Sequence, residues 1–402
     1  MGTKSMQPTA LEKAFGELQK QLDAEQFDAG LAALERLLAQ LPADLDEGQR
    51  ELKYRLLNAR VAALTKLDRF DQVLHDCAAM LDLISVDQAS AQRAGVMTQL
   101  SFAQANLLMP EQALRAAHVA LQDGLQLHNN LLTAQALERL AMVYLSMGDG
   151  DAALTLMFEA LGHMDQHKSD YERIRRYSNA MHLICSLYDA YIDAEKFDAA
   201  AAVLERANSF NEPAAALAPD VASQYIVCMW RANQARWHRR CGRRQMARGA
   251  FLDLEQRAAA NAWHAIRRPV LLELALMEEG ECRPQEALKL LAAVFDGAEL
   301  RVRDVVALPA LRAQQRCFRA TGQVEQAAAA AAQWESRQTA RRQAVRQAEL
   351  QLPGLDQRIL TSLAAAESAR LDEVVRQLRE RRRQGAGLSL LDHQWMAPST
   401  ST

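Results

Sequence analysis

The strongest constraint in this 402-residue sequence is a short motif that recurs about every 40 residues. In each copy, a turn is followed by a small or β-branched residue that opens an amphipathic helix. These residues are Gly30, Val73, Ala113, Ala153, Ala200, Ala247, Ala287 and Ala327. Their successive spacings are 43, 40, 40, 47, 47, 40 and 40 residues. So regular a period indicates repeated structural units that stack side by side.

Residues 136–161 show what one unit contains. Apolar side chains recur at three- and four-residue steps on both sides of the turn at 148–151, which is typical of two amphipathic helices. The small side chains of Ala141 and Ala153 allow these helices to approach closely, and Tyr144 fills the space between them. The sequence therefore predicts an all-α chain of about eight antiparallel helical hairpins, an α-solenoid, with a further helix at its C-terminal end.

The order of Ala141, Tyr144, Gly148 and Ala153 resembles the tetratricopeptide repeat (TPR) signature, whose usual period is about 34 residues. The longer period is similar to that of bacterial sensor and regulator proteins: maltose-type transcription activators, Rap-type phosphatase regulators and the sensory halves of some GGDEF diguanylate cyclases. The resemblance covers residues 10–335. It implies a TPR-like superhelix that binds a partner on its concave face and acts in bacterial signalling or transcriptional control.

The expected organisation has four parts. Residues 1–9 are a flexible N-terminus, and residues 10–335 are the solenoid. Residues 336–383 form C-terminal extension helices, and residues 384–402 are a disordered tail. The last helix, at about 356–383, has leucines close to a heptad spacing. Both a helix that caps the last repeat and a coiled coil that forms a homodimer remain open for it.

Two joints depart from the period. Extra residues before the fifth hairpin predict a long helix that begins after an N-cap at Ser169. Between the fifth and sixth hairpins, Pro213 and Pro219 predict a break in the helix and a longer loop.

Composition excludes several classes of protein. Half the residues are hydrophobic but only 5% are aromatic, a balance typical of helices rich in alanine and leucine. The six cysteines show no C-x-x-C pair, so neither a disulfide framework nor a zinc ribbon is expected. No apolar run approaches the roughly 18 residues that span a membrane, and the N-terminus has no signal-peptide pattern. The sequence predicts a cytoplasmic protein without a membrane partner.

Candidate binding residues occupy the first helices of hairpins four to six, which line the groove if the resemblance holds. They are Gln135, Glu138, Asn179, His182, Asn233, Arg236 and Arg240. Guanidinium groups suit carboxylates or phosphates, and asparagine amides can both donate to and accept from a peptide backbone. The pattern predicts a partner protein or peptide of acidic character. A small anionic ligand, or a solvated helix end paired with Asp253 or Glu255, are the alternatives.

No pattern points to catalysis. The sequence has no nucleophile elbow, phosphate loop or dinucleotide fingerprint, so we expect a non-enzymatic protein without a cofactor. His163 and His167 have helical spacing but lack the metalloprotease motif, which favours a polar helix end over a metal site. The low aromatic content disfavours a nucleic-acid groove. A sensor related to the diguanylate cyclases, without their catalytic domain, is a further alternative.

Overall fold

The computed structural model describes residues 8–85, 88–163, 169–296 and 302–350, all within one compact unit. These residues form seventeen α-helices and one short 3₁₀ helix, with no β-strand among them. The first helices of the hairpins are α1 (Pro8–Asp23), α3 (Glu47–Lys66), α5 (Ala91–Asn106), α7 (Asn130–Met147), α9 (Asp170–Asp193), α12 (Gln224–Arg240), α14 (His264–Gly280) and α16 (Asp304–Ala320). The second helices are α2 (Phe27–Leu38), α4 (Phe70–Leu81), α6 (Pro110–Gln126), α8 (Gly150–Gly162), α10 (Phe197–Glu205), α13 (Arg244–Ala260), α15 (Pro284–Val294) and α17 (Val324–Glu349). The predicted all-α solenoid of eight hairpins is confirmed.

The recurring small residues lie where the two helices of each hairpin meet. All eight are buried, from Gly30 in the first hairpin to Ala327 in the last. A Cβ atom built on Gly30 would overlap the side chain of Leu22, so α1 and α2 approach closely and a larger residue would require Leu22 to shift. The sequence period is therefore the period of helix–helix contacts.

The two irregular joints behave differently. The prediction for the first is confirmed: α9 is 24 residues long, and the Ser169 hydroxyl caps it by accepting from the Glu172 amide at 3.5 Å. The prediction for the second is wrong, because most of that segment is helix α11 (Asn208–Leu217), followed by the 3₁₀ helix at 218–220. Proline removes one backbone donor, and burial of Phe210 against α9 and its neighbours offsets that loss.

The first hairpin contacts the sixth, some 200 residues away. The Glu25 carboxylate accepts hydrogen bonds from the Ser223 hydroxyl at 2.6 Å and the Tyr225 amide at 2.9 Å, at the N-terminus of α12. The Tyr225 ring lies 5.5 Å from the ring of Phe27 on one side and 5.5 Å from that of Trp263 on the other, centroid to centroid. These contacts close the superhelix on itself.

A second contact of this kind involves α17, which packs on α6. Arg341 donates from Nε to the carbonyl oxygen of Ser146, at the end of α7, at 3.1 Å. The predicted helix at about 356–383 and the predicted tail at 384–402 lie outside the described residues. Within the described ranges, no helix is long and apolar enough to cross a membrane.

Candidate functional site

The first polar cluster, on the first helices of hairpins four and five, surrounds Glu138 of α7, whose side chain is fully buried. Arg175 of α9 donates to its carboxylate at 2.7 Å, and Asn179 donates to the same oxygen. Arg176 Nε lies 3.8 Å from the second oxygen, and Arg139 approaches to 4.0 Å. One buried carboxylate thus holds three guanidinium groups beside it.

Glu172 is the second carboxylate of this cluster. Arg175 bonds it at 2.9 Å. Burial alone raises the pKa of Glu172, but the charge of Arg175 and hydrogen bonds from Arg175 and Gln135 lower it overall. With three guanidinium groups and two carboxylates, the cluster keeps one positive charge in excess.

The second cluster surrounds Glu273 of α14. Arg236 and Arg239 of α12 donate from Nε to its carboxylate at 2.9 and 2.5 Å, and Arg240 donates at 3.3 Å. Burial alone raises the pKa of Glu273, yet the charges of Arg240, Arg239 and Arg236 lower it to about 2. Glu273 is therefore ionised throughout the physiological pH range.

Arg240 is shared between two acids. Its Nε donates to Asp189 of α9 at 2.9 Å, and its side chain is only 3% exposed, whereas that of Asp189 is 46% exposed. Burial lowers the pKa of Arg240, but the charges of Glu273 and Asp189 raise it overall. This cluster also contains three guanidinium groups and two carboxylates, so one positive charge again remains in excess.

His182 joins α9 to the second cluster. Its Nδ1 lies 2.8 Å from the Arg236 guanidinium, which can only donate, so the imidazole proton is assigned to Nε2. Burial, and then the charge of Arg236, lower the pKa of His182 well below its ordinary value, so the imidazole is neutral at physiological pH.

Asn233 connects the same two helices. Its side chain accepts a hydrogen bond from Arg236 at 3.3 Å and donates one to the carbonyl oxygen of Ser178 at 3.0 Å.

The structure brings the residues predicted as a binding site into one polar layer on α7, α9 and α12. The predicted arginines are not free, however, because carboxylates of the protein neutralise most of their charge. These acids are not the pair considered from the sequence: Asp253 bonds Arg257, and Glu255 bonds Arg267 at 2.9 Å. Sequence analysis overlooked Glu273, although an acid within the apolar stretch Leu271–Leu276 is a signal that could have identified it.

The remaining arginines of this region form a separate set at the turn. Arg243 and Arg244 are exposed, and the Arg243 guanidinium lies 5.1 Å from the centroid of the Trp237 ring. Arg248 pairs with Glu278 and, at 2.7 Å, with Glu281. Only part of the arginine-rich sequence therefore belongs to the second cluster.

The histidine pair considered as a metal site is only partly described. His163 Nε2 lies 3.7 Å from a Glu159 carboxylate oxygen, and His167 lies outside the described residues. Over the ranges that the structure describes, no group of three or more histidine, cysteine or acidic side chains is placed to hold a metal ion.

Comparison with known proteins identifies the fold. No protein-family model matches the sequence, and a search of curated proteins finds no significant match. Thirty-five solved chains match the structure significantly. One is the crystal structure of a Rap protein complexed with competence and sporulation factor, with a TM-score of 0.54 and 13% sequence identity over 84% of this chain and all of that one. This chain has a TPR-like helical repeat fold.

Proposed function

We propose that this chain is a non-enzymatic regulator that binds an acidic partner protein or peptide on the inner face of hairpins four to six. The observation that carries the proposal is the polar layer on α7, α9 and α12, where each of two clusters keeps one positive charge in excess. The complex of the Rap protein supports it, because a helical repeat of similar fold accommodates a factor in that structure. The resemblance to bacterial regulators supports a role in signalling or transcriptional control.

The arrangement suits recognition because its side chains are already oriented. Arg236 is held by Glu273 and His182, so little side-chain entropy is lost when a ligand binds. The half-exposed carboxylate of Asp189 is the group that an incoming acid would replace beside Arg240. Recognition would then exchange an internal carboxylate for one supplied by the partner.

An array of acidic peptides, each matched by its Asn/Gln counterpart, tests the proposal with the full chain. We expect the wild type to prefer the acidic members. Arg239→Ala should weaken that binding severalfold, and Asp189→Asn, which removes a competing charge, should strengthen it. Arg244→Ala is the matched control, since this exposed arginine at the start of α13 belongs to neither cluster. Equal binding to both peptide sets, or equal effects of Arg239→Ala and Arg244→Ala, would contradict the proposal.

A sensor of a small anion is the second candidate, because the same excess charge favours it. N-acetyl-aspartate separates the two. If it binds as tightly as an acidic peptide several residues long, the ligand is the small anion. If affinity rises with peptide length, the partner is a polypeptide.

A further inference from the structure

A cavity of about 500 Å³ lies between α1 and α3, away from the polar clusters. Its volume is within the range of about 300–1,000 Å³ that is typical of small-molecule sites. Its wall combines aromatic and aliphatic side chains with five polar or charged ones. The lining includes Phe15, Gln19, Leu22, Asp23, Ala62 and Lys66.

The cavity exists because small residues occupy one face of α3. Ala62 and Lys66 lie eight and four residues before Phe70, the first residue of α4. Arg236 and Arg240 lie at the same two positions before Arg244, the first residue of α13. The second hairpin thus has Lys66 at the position of Arg240, which keeps a cation there. At the position of Arg236 it has Ala62, whose small side chain leaves the space open.

The Lys66 ammonium is half-buried without an acidic partner. Its Nζ lies 4.3 Å from the centroid of the Phe27 ring and 5.5 Å from that of Tyr225. Within the described part of the chain, no carboxylate forms an ion pair with it. Burial lowers the pKa of Lys66, and the charges of Glu25 and Asp23 only partly oppose this shift. Aromatic rings stabilise the cation here, but they do not neutralise it.

The acids that neutralise Arg240 have no counterparts around Lys66. Asp189 lies eight residues before the first residue of α10, and Glu273 lies eleven before that of α15. In the hairpins that flank Lys66, Gln19 lies eight residues before the first residue of α2, and Gln99 lies eleven before that of α6. Both carboxylates are replaced by neutral amides. The repeat therefore retains a cation at this position without the two acids that bind Arg240. Asp23, the acid of the cavity lining, instead accepts a hydrogen bond from Gln19 Nε2 at 3.2 Å.

We propose that this cavity binds a small carboxylate with an apolar side chain, whose carboxylate pairs with Lys66 while the side chain packs on Phe15 and Leu22. The other cation of the lining, Arg55, already donates to Glu12 at 3.0 Å, so Lys66 is the group that receives the ligand. The site is separate from the polar layer of α7, α9 and α12. The ligand is a free organic acid or the C-terminal residue of a peptide, which share this chemistry.

Isothermal titration calorimetry with the full chain tests the proposal, using N-acetyl-L-leucine and its C-terminal amide as probes. The acid should bind at least tenfold more tightly than the amide. Lys66→Met keeps the apolar stem but removes the charge, so affinity for the acid should fall at least tenfold. Lys289→Met is the control, because this exposed lysine on α15 lies outside the cavity lining. A tripeptide, N-acetyl-Ala-Ala-Leu, distinguishes the two sources: much tighter binding than N-acetyl-leucine indicates a peptide end, and equal binding a free acid.

Two further variants keep Lys66 in place. Gln19→Glu supplies an acid at the position of Asp189, so it should neutralise Lys66 and weaken binding of the acid. Ala62→Leu fills the cavity and should abolish binding of both probes. Circular dichroism spectra that match the wild type establish that the variants fold. The proposal is overturned if the wild type binds neither probe, if acid and amide bind equally, or if Lys66→Met binds like the wild type.

Discussion

Glu273 is the carboxylate that pairs with all three arginines of the second cluster. Its side chain is 4% exposed, and three guanidinium groups bond to it or lie beside it. A buried ion pair is a weak source of net stability, but removal of one partner leaves uncompensated charge. The consequence can be measured both at neutral pH and as a function of pH.

Glu273→Gln should lower the free energy of unfolding at pH 7 by about 3–5 kcal/mol. Because the folded-state pKa of about 2 lies below the ordinary value of 4.5, the stability that ionised Glu273 contributes is complete above pH 4.5 and is lost as the pH falls towards 2. Urea denaturation at pH 7 and pH 3 should therefore show a difference between wild type and variant that shrinks at the lower pH.

Glu286→Gln is the control for this experiment. Its carboxylate is 54% exposed and pairs with Lys289 at 2.8 Å. We expect a change within about 0.5 kcal/mol at either pH, since exposed pairs contribute little. A similar loss of stability in both variants would show that Glu273 has no special role.

Gly124, near the end of α6, provides a second test at the residue scale. A Cβ atom there would lie 2.6 Å from the backbone nitrogen of Thr133, at the start of α7. Gly124→Ala should therefore destabilise the protein by about 1–3 kcal/mol, because backbone cannot move as a side chain does. Gly95→Ala in α5 meets nothing within 4 Å and should stabilise by about 0.5–1 kcal/mol. Thermal unfolding of both variants checks the two signs.

At the scale of the element, each hairpin has one residue with positive φ in its turn. Glycine occupies this position in three hairpins, as at Gly242, where φ is 77°. Other hairpins use a residue with a side chain, as at Glu195, where φ is 58°. The turns therefore form at a fixed place relative to the small residue that follows, and glycine makes them less strained without being required.

Gly242→Ala should lower stability by about 1–2 kcal/mol, because alanine is strained in the left-handed region. Steric crowding is not the cause, since a Cβ atom at Gly242 meets nothing within 4 Å. Gly249→Ala lies in the following helix with equally open surroundings, and it should stabilise the protein. Chemical denaturation that gives the same sign for both variants would refute this explanation.

At the scale of the whole molecule, the contact between the first and sixth hairpins depends on few polar groups. Glu25 supplies the acceptor at the N-terminus of α12, where the helix dipole favours a negative charge. The aromatic rings of Phe27, Tyr225 and Trp263 cover this contact on its apolar side. Loss of the acceptor should loosen the closure without unfolding the hairpins.

Glu25→Ala should increase amide exchange in the first turn of α12 by about fivefold, since the loss of a capping hydrogen bond at a helix N-terminus costs about 1 kcal/mol. Hydrogen–deuterium exchange mass spectrometry of peptides that cover 223–230 measures this. Glu17→Ala is the control, because Glu17 is exposed and pairs only with Lys20 at 3.0 Å in the described structure. Exchange that is unchanged in Glu25→Ala would show that the aromatic contact alone closes the superhelix.

The sequence by itself determined the hairpins, their number and the apolar face that each buries. These are local properties, because a small residue must recur wherever two helices meet and an apolar stripe must follow the helical period. The same information identified the polar residues of hairpins four to six. Helix α11 shows the limit of local signals: Pro213 predicts a break, yet burial of Phe210 and Ala214 retains the helix.

Only the tertiary structure decided which charges meet and where the superhelix closes. Arg236 and Glu273 are 37 residues apart, and Ser223 is 198 residues from Glu25. Such pairings depend on how each hairpin is rotated against the next, and small rotations summed over several repeats move a side chain from one partner to another. The neutralised arginines, and a Lys66 that forms no ion pair with any described residue, are therefore visible only in the folded chain.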